Sequence, residues 1–140
     1  MSSAPPARAC ARFGAVVNGK QILLIDDDKA VHAMVRAVLE RAGHRVFSAM
    51  DALQGPMFAR QVKPVLIILD INLPGGGGEK VYERLRAMPG TAVLPILSYT
   101  GVSRSDMSPP IDESRDTVIL PKPATPEAIA AAVEKMLASR

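Results

Sequence analysis

Residues 65–70 read Val-Leu-Ile-Ile-Leu-Asp, an unbroken apolar run that stops at a single carboxylate. Residues 21–28, Gln-Ile-Leu-Leu-Ile-Asp-Asp-Asp, repeat the design. A short run of this kind suits a strand buried on both faces, with the acid where the chain leaves the sheet. Between the two runs, Val31, Met34, Val35, Val38 and Leu39 recur at the spacing of an amphipathic helix. Asp28 is placed to cap that helix and Gly43 to end it.

The same alternation continues along the chain. Arg45 to Ala49 is a weaker strand, and a helix is expected from Asp51 to about Arg60, with Gly55-Pro56 disturbing it. Beyond Asp70, Pro74 and Gly75 to Gly78 read as a loop before a helix carrying Val81, Leu85 and Met88. Val93 to Tyr99 and Thr117 to Leu120 are two more strands. Thr125-Pro126-Glu127 opens a last helix with the stripe Ile129, Ala132, Val133, Met136 and Leu137. Strands alternating with helices in this way predict an α/β fold, a doubly wound five-stranded parallel sheet with helices on both faces. In such a sheet, chemistry gathers beyond the carboxyl ends of the strands.

Composition narrows the function. The 140 residues are 48% hydrophobic and 22% charged, the balance of one globular domain. Residues 1–19 carry Arg8 and Arg12 without an acid, so this extension, expected to be flexible, holds +2 of the net +3. Residues 20–140, the expected domain, are nearly neutral, and no Lys/Arg stripe with interleaved aromatics supports direct nucleic-acid binding. The longest apolar run is far short of a membrane span, and Ala15-Val16-Val17 is too short for a signal peptide. The single cysteine, Cys10, cannot form an internal disulfide, which fits a reducing compartment.

The strand ends collect Asp26-Asp27, Asp70, Thr100-Gly101 and Lys122-Pro123. Three carboxylates in one place repel unless they protonate or hold a cation with oxygen ligands, and Mg²⁺ suits such a half-built site. A hydroxyl and an ammonium complete what a phosphoryl group needs around its oxygens. There is no G-x-x-x-x-G-K-[ST] or G-x-G-x-x-G loop to hold a nucleotide, so the simplest chemistry is an aspartate that accepts a phosphoryl group.

ILLIDDD (22–28), LIILDINLPGG (66–76), LPILSYTG (94–101) and LPKP (120–123) together resemble the receiver domains of two-component response regulators. The resemblance covers about residues 20–139. It implies the flavodoxin-like strand order 2-1-3-4-5, with Asp70 as phosphoacceptor. It implies Mg²⁺ held by Asp26, Asp27, Asp70 and the backbone carbonyl of Asn72, with Thr100 on the phosphoryl group. Lys122 would pair with Asp70, before a cis peptide to Pro123. The implied partners are a sensor histidine kinase or a histidine phosphotransfer protein and a downstream protein target, in the cytoplasm. Enzymatic activity would be limited to self-phosphorylation and autodephosphorylation.

Three stretches depart from the family pattern, one of them Gly75 to Gly78, which is expected to make the loop beside Asp70 unusually free. The aromatic usually found three residues before the lysine is Ile119 here, which puts the usual threonine–aromatic coupling in question, and Tyr99 faces the other way. Residues 103–115 contain Pro109-Pro110 and little apolar stripe, so the fourth helix is expected to be short, shifted or absent. A receiver-like interaction module working without phosphorylation is the alternative these departures suggest. A haloacid-dehalogenase-type phosphohydrolase fits poorly, because Asn72 stands where that family needs a second aspartate. His32 and His44 are read as solvated, Met34, Met50, Met57, Met88 and Met136 as core filling.

Overall fold

The computed structural model describes residues 19–74, 77–107 and 111–138. The apolar runs form the interior of one parallel sheet. Its strands are β1 (Gln21–Ile25), β2 (Arg45–Ala49), β3 (Leu66–Leu69), β4 (Ile96–Thr100) and β5 (Thr117–Pro121). They lie side by side in the order β2-β1-β3-β4-β5, the expected 2-1-3-4-5. Every pair is parallel, with Ile25 opposite both Ala49 and Leu69, Leu69 opposite Ser98, and Thr100 opposite Pro121.

Strand alternation divides the core into two layers. Ile22, Leu24, Leu66, Ile68, Leu97 and Tyr99 pack against α1 (Lys29–Arg41) and α4 (Pro126–Ala138). Leu23, Ile25, Ile67, Leu69 and Ile96 point the opposite way, toward α2 (Gln54–Val62) and α3 (Gly77–Ala87). Each fully buried Leu or Ile contributes about 1.5–3 kcal/mol, so the two layers are built mainly from aliphatic side chains, with Tyr99 as the buried aromatic of the first.

The helix ends follow local chemistry. Asp28 caps α1 by accepting from the Ala30 amide at 2.8 Å, and Gly43 leaves the helix at φ 97°. Thr125 caps α4, its Oγ1 accepting from the Ala128 amide. α2 begins three residues later than expected. The Asp51 carboxylate accepts from the Leu53 and Gln54 amides and makes a turn first. Pro56 thereby falls in the first helical turn, where its missing N–H costs nothing. Gly55 is pressed against Ile25, whose Cδ1 would lie 2.9 Å from an added Cβ.

Gly77 and Gly78 were expected in a free loop but are buried in the first turn of α3. A Cβ on Gly78 would come 1.9 Å from the Ile71 carbonyl oxygen, so the glycine lets α3 sit directly on the chain leaving β3. α3 ends at Ala87, leaving Met88 just beyond it. β4 starts at Ile96 rather than Val93, which is exposed. In place of a regular fourth helix, the described residues of 103–115 form one 3₁₀ turn, Arg104–Asp106, as the sequence foretold. Pro109-Pro110, Gly75, Gly76, Cys10 and all of the extension but Gly19 lie outside the described residues.

Both histidines are corrections. His32 is buried, Nδ1 lying 2.8 Å from Ser48 Oγ and Nε2 2.7 Å from the Asp26 carbonyl oxygen. His44 is buried with Nε2 2.6 Å from Glu134 Oε2, and its Nδ1 accepts from the Lys20 amide. Met57 is exposed rather than core filling, whereas Met136 is buried.

Candidate phosphoryl and metal site

The parallel register delivers the acids to one place. Ile25 and Leu69 are paired neighbours, so the residues after them, Asp26 and Asp70, leave the sheet side by side. The Asp26 amide donates to the Ala49 carbonyl and the Asp70 amide to the Ile25 carbonyl, which extends the ladder through both aspartates. On the far side, the Lys122 amide donates to the Thr100 carbonyl and the Lys122–Pro123 peptide is cis, as the resemblance implied.

Lys122 Nζ donates to Asp26 Oδ2 at 2.9 Å and to Asp70 Oδ2 at 3.2 Å. The remaining oxygens accept from the backbone, Asp26 Oδ1 from the Asp28 amide at 2.8 Å and Asp70 Oδ1 from the Asn72 amide at 3.0 Å. Asp27 is exposed beside them. Asp26, Asp27 and Asp70 each offer a carboxylate oxygen, all within 4.8 Å of one another. Asp28 stands apart, committed to its cap.

Asp26 is 1% exposed, and burial pushes its carboxyl above the ordinary value. Hydrogen bonds from Lys122 and the Asp28 amide pull against that shift, while the charge of Asp70 adds to it. Burial works against the charged Lys122 ammonium as well. The hydrogen bond and charge of Asp26, with those of Asp70, outweigh it and raise Lys122 above its ordinary value. This is a cluster of three acids and one base that is short of positive charge. Its oxygen donors fit a hard divalent cation that keeps several of its waters, as Mg²⁺ does.

Thr100 is buried at the end of β4, and its Oγ1 accepts from the Val102 amide at 3.2 Å, leaving its own proton to donate. Ile119 packs on the α2–α3 side of the sheet, its amide bound by Glu113 Oε2. Tyr99 lies in the opposite layer, where its hydroxyl accepts from the Ala124 amide and its ring centroid is 5.3 Å from Lys122 Nζ. It supports the lysine from behind and does not stand in for the missing aromatic.

The site residue overlooked in the sequence is His32. Its ring ties the Asp26 carbonyl to Ser48 of β2, and Arg36 reaches the same hydroxyl at 3.2 Å and the Val46 carbonyl at 2.8 Å. The signal was present in the spacing, since residues 32, 35 and 39 share one helix face.

The comparisons with known proteins agree with this fold. Residues 22–134 match the response regulator receiver domain family. The chain is 38% identical over 118 residues to the DNA-binding dual master transcriptional regulator RpaA of Synechocystis, covering 84% of this chain and 48% of that protein. It is 26% identical to sporulation initiation phosphotransferase F of Bacillus subtilis, covering 84% of this chain and 94% of the relative. It spans less than half the length of the RpaA, AfsQ1 and PhoB regulators it also matches. Among solved structures it superposes on a two-component response regulator of the LuxR family from Aurantimonas with a TM-score of 0.74, at 28% identity and 88% coverage of both chains. The receiver domain of a sensor histidine kinase from Pseudomonas aeruginosa, solved with magnesium in its active-site cleft, gives a TM-score of 0.75 at 22% identity, covering 86% and 98%. This chain belongs to the response regulator receiver domain family of two-component signalling.

Proposed function

We propose that this receiver domain takes a phosphoryl group onto Asp70 from a phosphohistidine of a sensor kinase or phosphotransfer protein, and signals by protein–protein contact in the cytoplasm. The observation that carries the reading is the convergence on Asp70 of a second buried carboxylate, Asp26, and one bridging ammonium, Lys122. The solved Pseudomonas receiver with magnesium in its cleft supports the same use of this fold.

Asp26, Asp27, Asp70 and the carbonyl of Asn72 would hold Mg²⁺. Bound there, the ion would supply positive charge against the carboxylates and the incoming phosphoryl oxygens. A carboxylate oxygen of Asp70 attacks phosphorus, the O–P bond forms as the donor's P–N bond breaks, and the released imidazole takes up a proton. Lys122 follows the negative charge from the carboxylate to the phosphoryl oxygens, and Thr100 donates its hydroxyl proton to one of them. His32 holds the Asp26 carbonyl and keeps the metal-side backbone in place.

Acetyl phosphate with Mg²⁺ should add one phosphoryl group to the intact mass, lost in Asp70→Asn and without metal. A folded chain that binds Mg²⁺ but stays unmodified would favour the phosphorylation-independent module, which Ile119 and the 3₁₀ turn Arg104–Asp106 also suit.

A further inference from the structure

The face that α2 and α3 turn to solvent has a chemistry the phosphoacceptor site does not use. Four basic residues on it, Arg60, Lys63, Lys80 and Arg84, are exposed. Among the described residues none of the four is held in an ion pair. α2 contains no acid, and the acids of α3, Glu79 and Glu83, do not line the clefts between the two helices.

Those clefts are more apolar than polar, and each shares a lining residue with the next. One of about 520 Å³ has Ala59, Pro64, Met88 and Leu94 on its walls together with Arg60 and Lys63. Arg60 also borders a second cleft, where Leu53 and Met57 meet Arg84. Leu53 and Arg84 in turn border a third, which continues past Pro56 to Lys80. Three large hydrophobic side chains are exposed among the described residues, and two of them, Leu53 (76%) and Met57 (45%), are in this furrow. Exposed apolar surface rimmed by one sign of charge marks an interaction site.

We propose that the α2–α3 furrow docks an acidic amphipathic helix of a partner protein, with its apolar stripe on Leu53, Met57 and Met88 and its carboxylates on the four basic residues. The furrow follows α2, whose nine residues span about 14 Å at 1.5 Å each, so a helix of about three turns would fill it. Charge alone would also suit nucleic acid or an anionic lipid surface. Phosphates have no use for an apolar floor, and the furrow offers no aromatic for base stacking. Its apolar atoms line clefts, whereas a bilayer is entered by an apolar face that stands proud of its basic residues.

The furrow is also mechanically close to the acids. α2 rests on Ile25 through Gly55 and α3 on Ile71 through Gly78, each one residue from Asp26 or Asp70. Docking itself does not depend on the phosphoacceptor reading.

The test is selection of binders to the whole chain from a displayed library of 18-residue peptides, with titration of the synthesised binders by fluorescence anisotropy. The expected binders carry Asp or Glu beside apolar residues at i, i+3 or i+4, and i+7. Their affinity should fall about tenfold or more in the double variant Arg60→Glu, Arg84→Glu, and severalfold in Met57→Gln, since hot spots combine charge with buried apolar contact. Lys135→Glu on α4 should leave binding unchanged. Circular dichroism of each variant separates lost contact from lost fold. Binders without that pattern, binders indifferent to these substitutions, or tighter binding of duplex DNA or phosphatidylglycerol vesicles at the same face would overturn the proposal.

Discussion

Lys122 Nζ lies 2.9 Å from Asp26 Oδ2, joining the end of β5 to the end of β1 across two intervening strands. The same nitrogen reaches Asp70 at 3.2 Å. One ammonium therefore balances two buried carboxylates, and several consequences of that shortage of charge can be measured.

Lys122→Met should destabilise the fold by about 2 kcal/mol at neutral pH, below the 3–5 kcal/mol of a fully buried pair because the lysine is partly exposed. Urea denaturation measures this directly. Mg²⁺ should restore more stability to the variant than to the native chain, since the acids are then left with no other cation. Equal rescue of both would contradict the shared role of lysine and metal.

The pH dependence has a definite sign. Asp26 has a raised carboxyl, so the folded chain binds that proton more tightly than the unfolded chain does. Acidification from neutral pH toward that raised value therefore favours folding through this group. A metal needs the carboxylate charged, so its effect runs the other way. Mg²⁺ at ten times its dissociation constant should add about 1.4 kcal/mol near pH 7 and less at a second pH closer to the raised Asp26 value. Thermal melts with and without Mg²⁺ at both values decide this, and a metal shift that grows on acidification would refute it. Lys122 acts at the alkaline end. Its raised value stabilises the fold below its ordinary pKa, and that stability is lost as pH climbs through the raised one.

His32→Ala should cost about 2 kcal/mol, from one buried side chain and two hydrogen bonds, and should weaken Mg²⁺ binding as the Asp26 backbone loosens. His32→Phe fills the space without the hydrogen bonds. If Phe restores stability while Mg²⁺ affinity stays low, the ring positions the acid; if both return, it only fills the core.

Gly78→Ala places a methyl 1.9 Å from the Ile71 carbonyl oxygen and should destabilise by about 3 kcal/mol, because backbone must move. Gly90→Ala meets nothing within 4 Å and should be neutral or slightly stabilising. Equal effects on denaturant midpoints would contradict the account of how α3 is seated.

These residues also mark how far the sequence could be read. β1 and β2 matched to the residue, and β3 and β5 to within one, because apolar runs stop where polar strand ends begin. The start of α2 was misplaced because Asp51 spends its carboxylate on a turn, an arrangement residue type alone does not disclose. Gly77 and Gly78 read as loop because glycine signals freedom locally, while their role is set by a contact with Ala52 and Ile71. The acids and Lys122 were legible from strand-end placement. His44 was not, since a polar side chain in a buried position is recognised only once its partner, Glu134, is in view. His32 reads as solvated by residue type, although its spacing with Val35 and Leu39 puts it on the buried face.

The central claim is that Asp70 itself forms the acyl phosphate, and chemical trapping tests it most directly. The chain is incubated with acetyl phosphate and Mg²⁺, reduced with borohydride, digested and sequenced by tandem mass spectrometry. An aspartyl phosphate is reduced to homoserine, so the account predicts homoserine at position 70 and aspartate unchanged at positions 26 and 27. Homoserine at 26 or 27, or aspartate retained at all three in a chain that binds Mg²⁺, would contradict it.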